Sequence, residues 1–537
     1  MDFLRNPLNI RFLPLTLSLL GAVALLIWLI ASPDDGVALA FAVAAALSAL
    51  GVYDLVQDRH AVLRNYPISA HLRYIFEEMR PEMRQYFFET EKDGKPFSRD
   101  DRSLIYQRAK LELDQRPFGT QLDVYDEGFE WLRHSMQPKA TAKELFRVRI
   151  GGPDCALPYS ASVLNISAMS FGALGANAIR ALNLAAKTGG FAQDTGEGGI
   201  SPHHRQFGGD LIWEIGSGYF SARTPDGRFS PELFAKNAAD PQIRMVELKL
   251  SQGAKPGHGG VLPGVKVTAE IAAIRGVPQG VDCVSPARHS AFSTPLELMT
   301  FIGEMRRLAG GKPTGFKLCV GQPQEFLAVC KAMLETGVYP DFIVVDGKEG
   351  GTGAAPQEFM DHLGMPMREG LNFVHNALVG IGARERVRIG AAGKIVTAFD
   401  MARAMALGAD WCNAARGFMF SIGCIQSLSC HNSKCPTGVA TQDPGRGQAL
   451  VVADKSPRAA NFHRETLESL AELTAAAGLD HPSQFGLAHF SRRITAREMM
   501  SLADLYPALR PGELLEGARD PRFAEAWLVA RPDRFQG

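Results

Sequence analysis

Between residues 151 and 450, short apolar runs alternate with stretches of helical period, and this alternation constrains the chain more than any other feature. Strands are predicted at VLNISAM (163–169), RMVELKL (244–250), GVDCVS (280–285), TGFKLCV (314–320), DFIVVD (341–346), RVRIGAA (386–392) and DWCNAA (410–415). Helices fit between them at 175–187, 266–275, 295–309, 323–336 and 396–407. Strands separated by helix-length connections form parallel sheets with crossover helices. So many units, with glycine or polar residues just after the strands, predict an α/β fold closed as a (β/α)8 TIM-type barrel. An open dinucleotide fold would want Gly-x-Gly-x-x-Gly between its first strand and helix, a placement this sequence does not offer.

In such a barrel, the residues following each strand line the working mouth. Ser170-Phe-Gly172-Ala-Leu-Gly175 follows the first run, and its small residues let backbone approach a flat ring. Asp194-Thr-Gly-Glu197-Gly-Gly199 is an acidic loop after a further expected strand. Glu247-Leu-Lys249-Leu-Ser-Gln252-Gly-Ala-Lys255 then brings lysines and a glutamine to a strand end, suited to a carboxylate substrate or a reduced flavin. Each lysine taken alone reads equally well as surface. Lys317 differs, because it lies inside an apolar run and must find an anion or lose its charge. Facing inward, it would offset charge developing at the pyrimidine edge of a reduced isoalloxazine. The late glycine loops, with Gly351 and Gly353, with Gly390 and Gly393, and with Arg416 and Gly417, expose backbone N–H groups as an expected phosphate cradle.

Cys424, Cys430 and Cys435 follow, with five and four residues between them and Pro436 closing the run. Three clustered thiolates suit one soft metal centre. They are too few for a closed tetrahedral zinc site unless His431 or a distant residue completes it, whereas a 3Fe-4S cluster needs only three protein ligands. Buried structural thiols are the plainer alternative. Cys155, Cys283, Cys319, Cys330 and Cys412 are scattered, in keeping with a reducing compartment.

Ahead of this body, residues 12–31 and 36–53 are apolar and uncharged, each about long enough for a bilayer, with the turn Ser32-Pro-Asp-Asp35 between them. Arg5, Arg11, Arg59 and Arg64 flank the pair, which predicts both ends in the cytoplasm and a catalytic body on the cytoplasmic face of the inner membrane. A signal peptide would have a shorter single run and a small-residue cleavage site. The expected plan is a hairpin over 1–54, a connecting extension over 55–150, the barrel over 151–460 and a helical tail over 461–537. In the extension, Leu72, Ile75, Phe76 and Met79 share a helical face, Pro81 is expected to interrupt the helix, and Tyr74, Tyr86 and Phe87 are expected in a core. In the tail, helices are expected at 461–481 and 490–504. Fifty-seven basic against 57 acidic residues give no pull toward nucleic acid.

Ser170-Phe-Gly-Ala-Leu, Asp194-Thr-Gly-Glu-Gly-Gly, Gln252-Gly-Ala-Lys-Pro-Gly, Leu262-Pro-Gly, Gly350-Gly-Thr-Gly-Ala and Cys435-Pro-Thr-Gly-Val-Ala-Thr-Gln together resemble the FMN-binding synthase domain of the glutamate synthase large chain, and more closely its short stand-alone relatives. The resemblance spans roughly 150–460. It implies FMN and a 3Fe-4S cluster in a barrel that reduces 2-iminoglutarate, formed from 2-oxoglutarate and ammonia, to L-glutamate. It places Gln252, Lys255 and Arg275 on the keto acid carboxylates, Glu197 near the imine, Lys317 at the flavin, glycines 390, 393 and 417 at the FMN phosphate, and Cys424, Cys430 and Cys435 on the cluster. The expected departures are a missing cysteine glutaminase domain, so that ammonia comes free or from a partner, and a missing pyridine-nucleotide domain, so that electrons come from another protein or a membrane carrier. Ala287-Arg288-His289-Ser290 replaces a proline and two histidines, which raises another small acidic substrate. The rival reading is a membrane-coupled FMN and iron-sulfur oxidoreductase that exchanges electrons with quinone or a partner complex. Assembly into a homo-oligomer is left open.

Overall fold

The computed structural model describes residue 3 and residues 6–536; Arg5, one of the flanking arginines, lies outside the described residues. The chain divides into two compact units, residues 1–99 and 100–537. The stretch 55–150, expected as one connector, is therefore shared between them.

Eight parallel strands close the barrel of the second unit: β1 (Leu164–Ile166), β2 (Gln193–Asp194), β3 (Leu211–Ile215), β4 (Ile243–Lys249), β5 (Thr314–Leu318), β6 (Phe342–Asp346), β7 (Arg388–Ala392) and β8 (Trp411–Ala414). Each pairs with the next, and β8 returns to β1 with Asn413 opposite Asn165. One end is plugged. An antiparallel hairpin, Arg147–Ile150 with Tyr159–Ser162, packs Ile150, Tyr159 and Ala161 against Ile212, Met245, Phe342 and Trp411. Fully burying side chains of this size stabilises by about 1.5–3 kcal/mol each. The apolar plug seals the strand starts and leaves the strand ends for polar residues.

Two strand assignments differ from the expectation. Residues 280–285 are not in the barrel: Cys283–Val284 pairs antiparallel with Val261–Leu262, inside the long excursion between β4 and β5. The missing barrel strand is β3, whose five residues are all buried. Its charged Glu214 hid an apolar run bounded by Gly208-Gly209-Asp210 and Gly216. Several crossover helices begin on caps legible in the sequence, such as Thr294 with Glu297 and Thr397 with Asp400. The tail helix is longer than expected, Val452–Ala476. No helix forms over 490–504 as a whole: Phe490–Arg493 and Met499–Ser501 are strands, and Phe490–Arg493 also takes Glu130–Leu132 as a neighbour. A three-stranded sheet so joins both ends of the second unit.

The first unit contains α1 (Leu13–Ala31) and α2 (Asp35–Val56), both long and apolar enough to cross a membrane by length and composition. Asp34 caps α2 by accepting from the Gly36 and Val37 N–H groups at 2.8 and 3.0 Å. Beyond them the helix Ala70–Met83 runs through Pro81 and widens into a π turn over Arg84–Phe88. Pro81 does not interrupt it: helical bonding continues beyond the proline, with Arg84 N donating to the Arg80 carbonyl. Tyr86 and Phe87 are exposed rather than core, and Tyr74 is half-buried against the His60 ring.

Candidate active site

Charged side chains meet inside the barrel where strands β2 to β6 end. Asp194, Glu214 and Glu247 come from adjacent strands, and their carboxylate oxygens lie within 4.8 Å of one another. Such a group could hold a cation, but Lys317 supplies the cation itself: its ammonium pairs with Glu214 and sits 3.1 Å from Glu247 Oε1. Burial pushes Glu247 well above the usual carboxylate range, and the neighbouring Asp194 and Asp346 push it further. Asp194 is raised by burial against the pull of Lys317. Both shifts favour a proton held within the group. Lys317, expected at a flavin edge, is ion-paired in the barrel interior.

One layer outward lie residues that the sequence reading singles out. Glu197, on the loop after β2, pairs with Lys249 at the end of β4, Oε1 to Nζ 3.1 Å. Burial alone would raise this carboxyl; Lys249, Lys255 and Arg275 together outweigh burial and hold it below its ordinary value. Lys255 is pushed down to about 8, first by burial, and Glu197 opposes that shift. Its ammonium donates to the Ala354 carbonyl at 3.1 Å. Arg275, at the end of the helix Ala269–Arg275, donates to the Phe171 carbonyl at 3.0 Å and approaches Ser170 Oγ at 3.5 Å. Gln252 is half-buried at the start of the same excursion. The structure so brings Ser170, Glu197, Lys255 and Arg275 to one side of the mouth.

Small residues make this packing feasible. A Cβ on Gly260 would lie 2.0 Å from Glu197 Oε1, and one on Gly198 2.7 Å from the Arg275 guanidinium. Gly196 sits at φ +64 with its would-be Cβ 2.6 Å from Ser170 N, so conformation and space both require glycine there. Gly172 meets Arg275 and Leu262.

Across the mouth, Asp346 at the end of β6 accepts from Gly253 N at 2.8 Å and ties the β4 loop to β6. Arg416, lowered to about 10 by burial against the pull of Asp346 and Glu349, donates to the Glu349 carbonyl. Gly351 lies against Arg416, while nothing stands within 4 Å of a Cβ on Gly353. Gly393, at φ +146, follows β7, and Gly417 packs in a short helix under Phe462. Gly390 is mid-strand, where a Cβ would meet the Trp411 indole at 2.5 Å. Its smallness admits that ring, so the expected phosphate role does not fit Gly390, whereas Gly393, Arg416 and Gly417 do lie at strand ends.

The three clustered cysteines lie close enough for Cys430 and Cys435 to raise Cys424, although burial is the larger cause of its shift to about 12. Burial would raise Cys435 as well, but hydrogen bonds from Thr437 and from the backbone of Ala440, Thr437 and Val439 leave it lowered. Lys266 is buried beside them. Its ammonium donates to the carbonyls of Ala173 (2.6 Å), Cys430 (3.2 Å) and Ala440 (3.3 Å), joining the loop after β1 to the cysteine segment. On the other side, Tyr106 Oη donates to the Cys424 carbonyl at 2.7 Å. Among the described residues the cysteines do not gather their sulfurs as ligands of one ion would; the acidic group around Lys317 is the one that meets that spacing.

Sequence reasoning missed Glu214 and Lys266 at the site, and it quoted His289 and Asp346 in their segments without giving either a contact there. Lys317 and Glu214 gave the same signal, a charge inside an apolar run. His289, buried and pushed down to about 4 chiefly by burial, contacts the Lys249 carbonyl at 2.8 Å and Tyr219 Oη at 3.1 Å. Arg288 beside it is exposed.

A closed (β/α)8 barrel with its ionisable groups gathered at the strand ends defines an enzyme of the β/α-barrel class. A family model described as the conserved region in glutamate synthase matches residues 157–480. The glutamate synthase large subunit-like protein YerD of Bacillus subtilis is 38% identical over 479 residues, covering 82% of this chain and 91% of its own. An archaeal-type NADPH glutamate synthase of Thermotoga neapolitana is 35% identical over 315 residues, 58% of this chain and 59% of its own. This chain belongs to the glutamate synthase family and is an oxidoreductase of that class. Among solved structures, a flavocytochrome b2 mutant with pyruvate bound reaches a TM-score of 0.42 at 11% identity, over 82% of this chain and 90% of its own. The barrel assignment rests on the strand pairing of this chain and not on that likeness.

Proposed function

We propose that this protein reduces 2-iminoglutarate, formed from 2-oxoglutarate and ammonia, to L-glutamate, taking two electrons and two protons overall from a separate donor. The observation that carries the reading is the pocket in which Lys249, Lys255 and Arg275 surround the single ionised carboxylate of Glu197. Two fixed-position cations beyond the Lys249–Glu197 pair suit a dicarboxylate, and both come from the excursion after β4. Lys255 and Arg275 would each take a carboxylate, with Gln252 adding hydrogen bonds; binding energy at both ends orients the carbon between them. Glu197, held ionised, would accept from the imine N–H and favour its protonated, electrophilic form.

FMN fits the mouth by its donor set: nothing stands within 4 Å of a Cβ on Gly353, which leaves room beside a flat ring, and Gly393, Arg416 and Gly417 offer backbone and cationic partners for a phosphate. When bound, FMN would supply hydride chemistry at the pocket. A 3Fe-4S cluster on Cys424, Cys430 and Cys435 would pass single electrons to it, supported by the backbone hydrogen bonds that favour the Cys435 thiolate and by the buried Lys266 cation. The helices α1 and α2 would anchor the enzyme in the cytoplasmic membrane with its barrel on the cytoplasmic side.

The test is anaerobic. The detergent-solubilised protein is reduced, and its reoxidation is followed on adding 2-oxoglutarate with ammonium, with each alone as a control. Rapid reoxidation with both, together with L-glutamate formation, is the expected result. A flavin that stays reduced in protein with full FMN and iron content would overturn the substrate assignment.

A further inference from the structure

The helix Ala70–Met83 and the π turn after it carry an apolar stripe that is exposed among the described residues. Leu72, Ile75, Phe76, Met79, Met83 and Phe87 recur at helical spacing and are all exposed, Phe76 at 66% and Phe87 at 73%. The other faces hold Arg73, Glu77, Glu78, Arg80, Glu82 and Arg84, three charges of each sign. Arg73 pairs with Glu77 at 2.8 Å. A monomeric soluble protein rarely leaves so long an aromatic stripe to water.

We propose that residues 70–88 are an interfacial membrane helix, lying in the plane of the bilayer surface with this stripe in the acyl boundary. The occupant follows from where the helix begins. Asp54, in the last turn of α2, is fully buried and accepts from Ile68 N at 2.9 Å and His71 Nε2 at 3.0 Å. Ile68 also packs on Gly51, where a Cβ would meet it at 3.0 Å. These contacts fix the start of the amphipathic helix to the end of α2, the level at which a spanning helix leaves the hydrocarbon. A helix pinned there with one aromatic face and one charged face meets the description of an interfacial helix. Its balanced charge points to apolar insertion rather than attraction to anionic headgroups.

The inference rests on α1 and α2 as spans, and one experiment separates the two. The full-length protein is reconstituted in phosphatidylethanolamine and phosphatidylglycerol vesicles with p-benzoylphenylalanine at one position at a time: that of Phe76, Phe87, Arg80 or Trp28. Irradiated samples are then examined for lipid and peptide adducts by mass spectrometry. Lipid adducts at Phe76, Phe87 and Trp28, lost at Arg80, are expected. Lipid adducts at Trp28 with peptide adducts or none at Phe76 and Phe87 would overturn the proposal while leaving the anchor intact; peptide adducts would show the stripe covered by the barrel unit or a second copy. Absence of lipid adducts at Trp28 would remove the anchor and the proposal together.

Discussion

Lys255 carries opposite pH signatures in binding and in stability. With its pKa near 8, it is charged below that pH and neutral above it, so kcat/KM for the keto acid is expected to fall as pH rises through about 8. Lys255→Arg, which stays charged throughout, should flatten that limb in a pH–rate profile. The stability sign is the reverse. Between the folded value and the higher unfolded value the unfolded chain binds more protons, so the contribution of Lys255 to stability rises with pH over that window. The difference in denaturant midpoint between wild type and Lys255→Met should therefore move in favour of wild type from pH 8 to 10. At Lys317 the stakes are structural. Lys317→Met leaves Glu214 buried without its cation, a change that costs about 3–5 kcal/mol, measurable by equilibrium unfolding. Adding Glu214→Gln should restore part of that loss, because the two changes share one pair.

At the scale of elements, the cysteine segment is held from two sides, by Lys266 and by Tyr106. Lys266→Met strips three carbonyls of a charged donor, each worth about 1–3 kcal/mol when left unpaired. Hydrogen exchange over 430–440 should accelerate while the barrel strands stay protected; uniform acceleration would show that Lys266 supports the whole barrel. Cys430→Ser should remove iron and its visible absorbance while leaving FMN, and unchanged iron content would sink the cluster assignment. Gly253→Ala would force a Cβ to within 1.7 Å of the Gly347 carbonyl, so the loops after β4 and β6 must part. Keto acid binding is expected to weaken at least tenfold by calorimetry, about 1.4 kcal/mol, with the barrel still folded.

At the scale of the whole molecule, the two units call for separate tests. Isolated membranes washed at alkaline pH should retain the full-length protein in the pellet and release it only with detergent, since two spans of this length insert far more firmly than a peripheral contact. Release by the wash alone would reduce α1 and α2 to packing helices.

The sequence by itself determined the barrel and the two apolar helices, and it pointed to the glycine-rich loops after β2 and β4, because period and glycine spacing are local and survive without coordinates. It also marked Lys317 as buried, since a charge inside an apolar run is a local signal. What answered that charge was decided only by the tertiary structure. Glu214 and Glu247 lie 103 and 70 residues before Lys317 in sequence and meet it only when β3, β4 and β5 stand side by side. The same holds for Gly390, whose small size reads as a loop signal until the Trp411 ring is seen across the ladder. Residues 280–285 have the composition of a strand, but strand propensity does not say which sheet a strand joins. The stripe on residues 70–88 had an apolar face in sequence, and only the fold left that face exposed among the described residues. Local chemistry writes the elements, whereas partners distant in sequence are chosen by closure of the barrel.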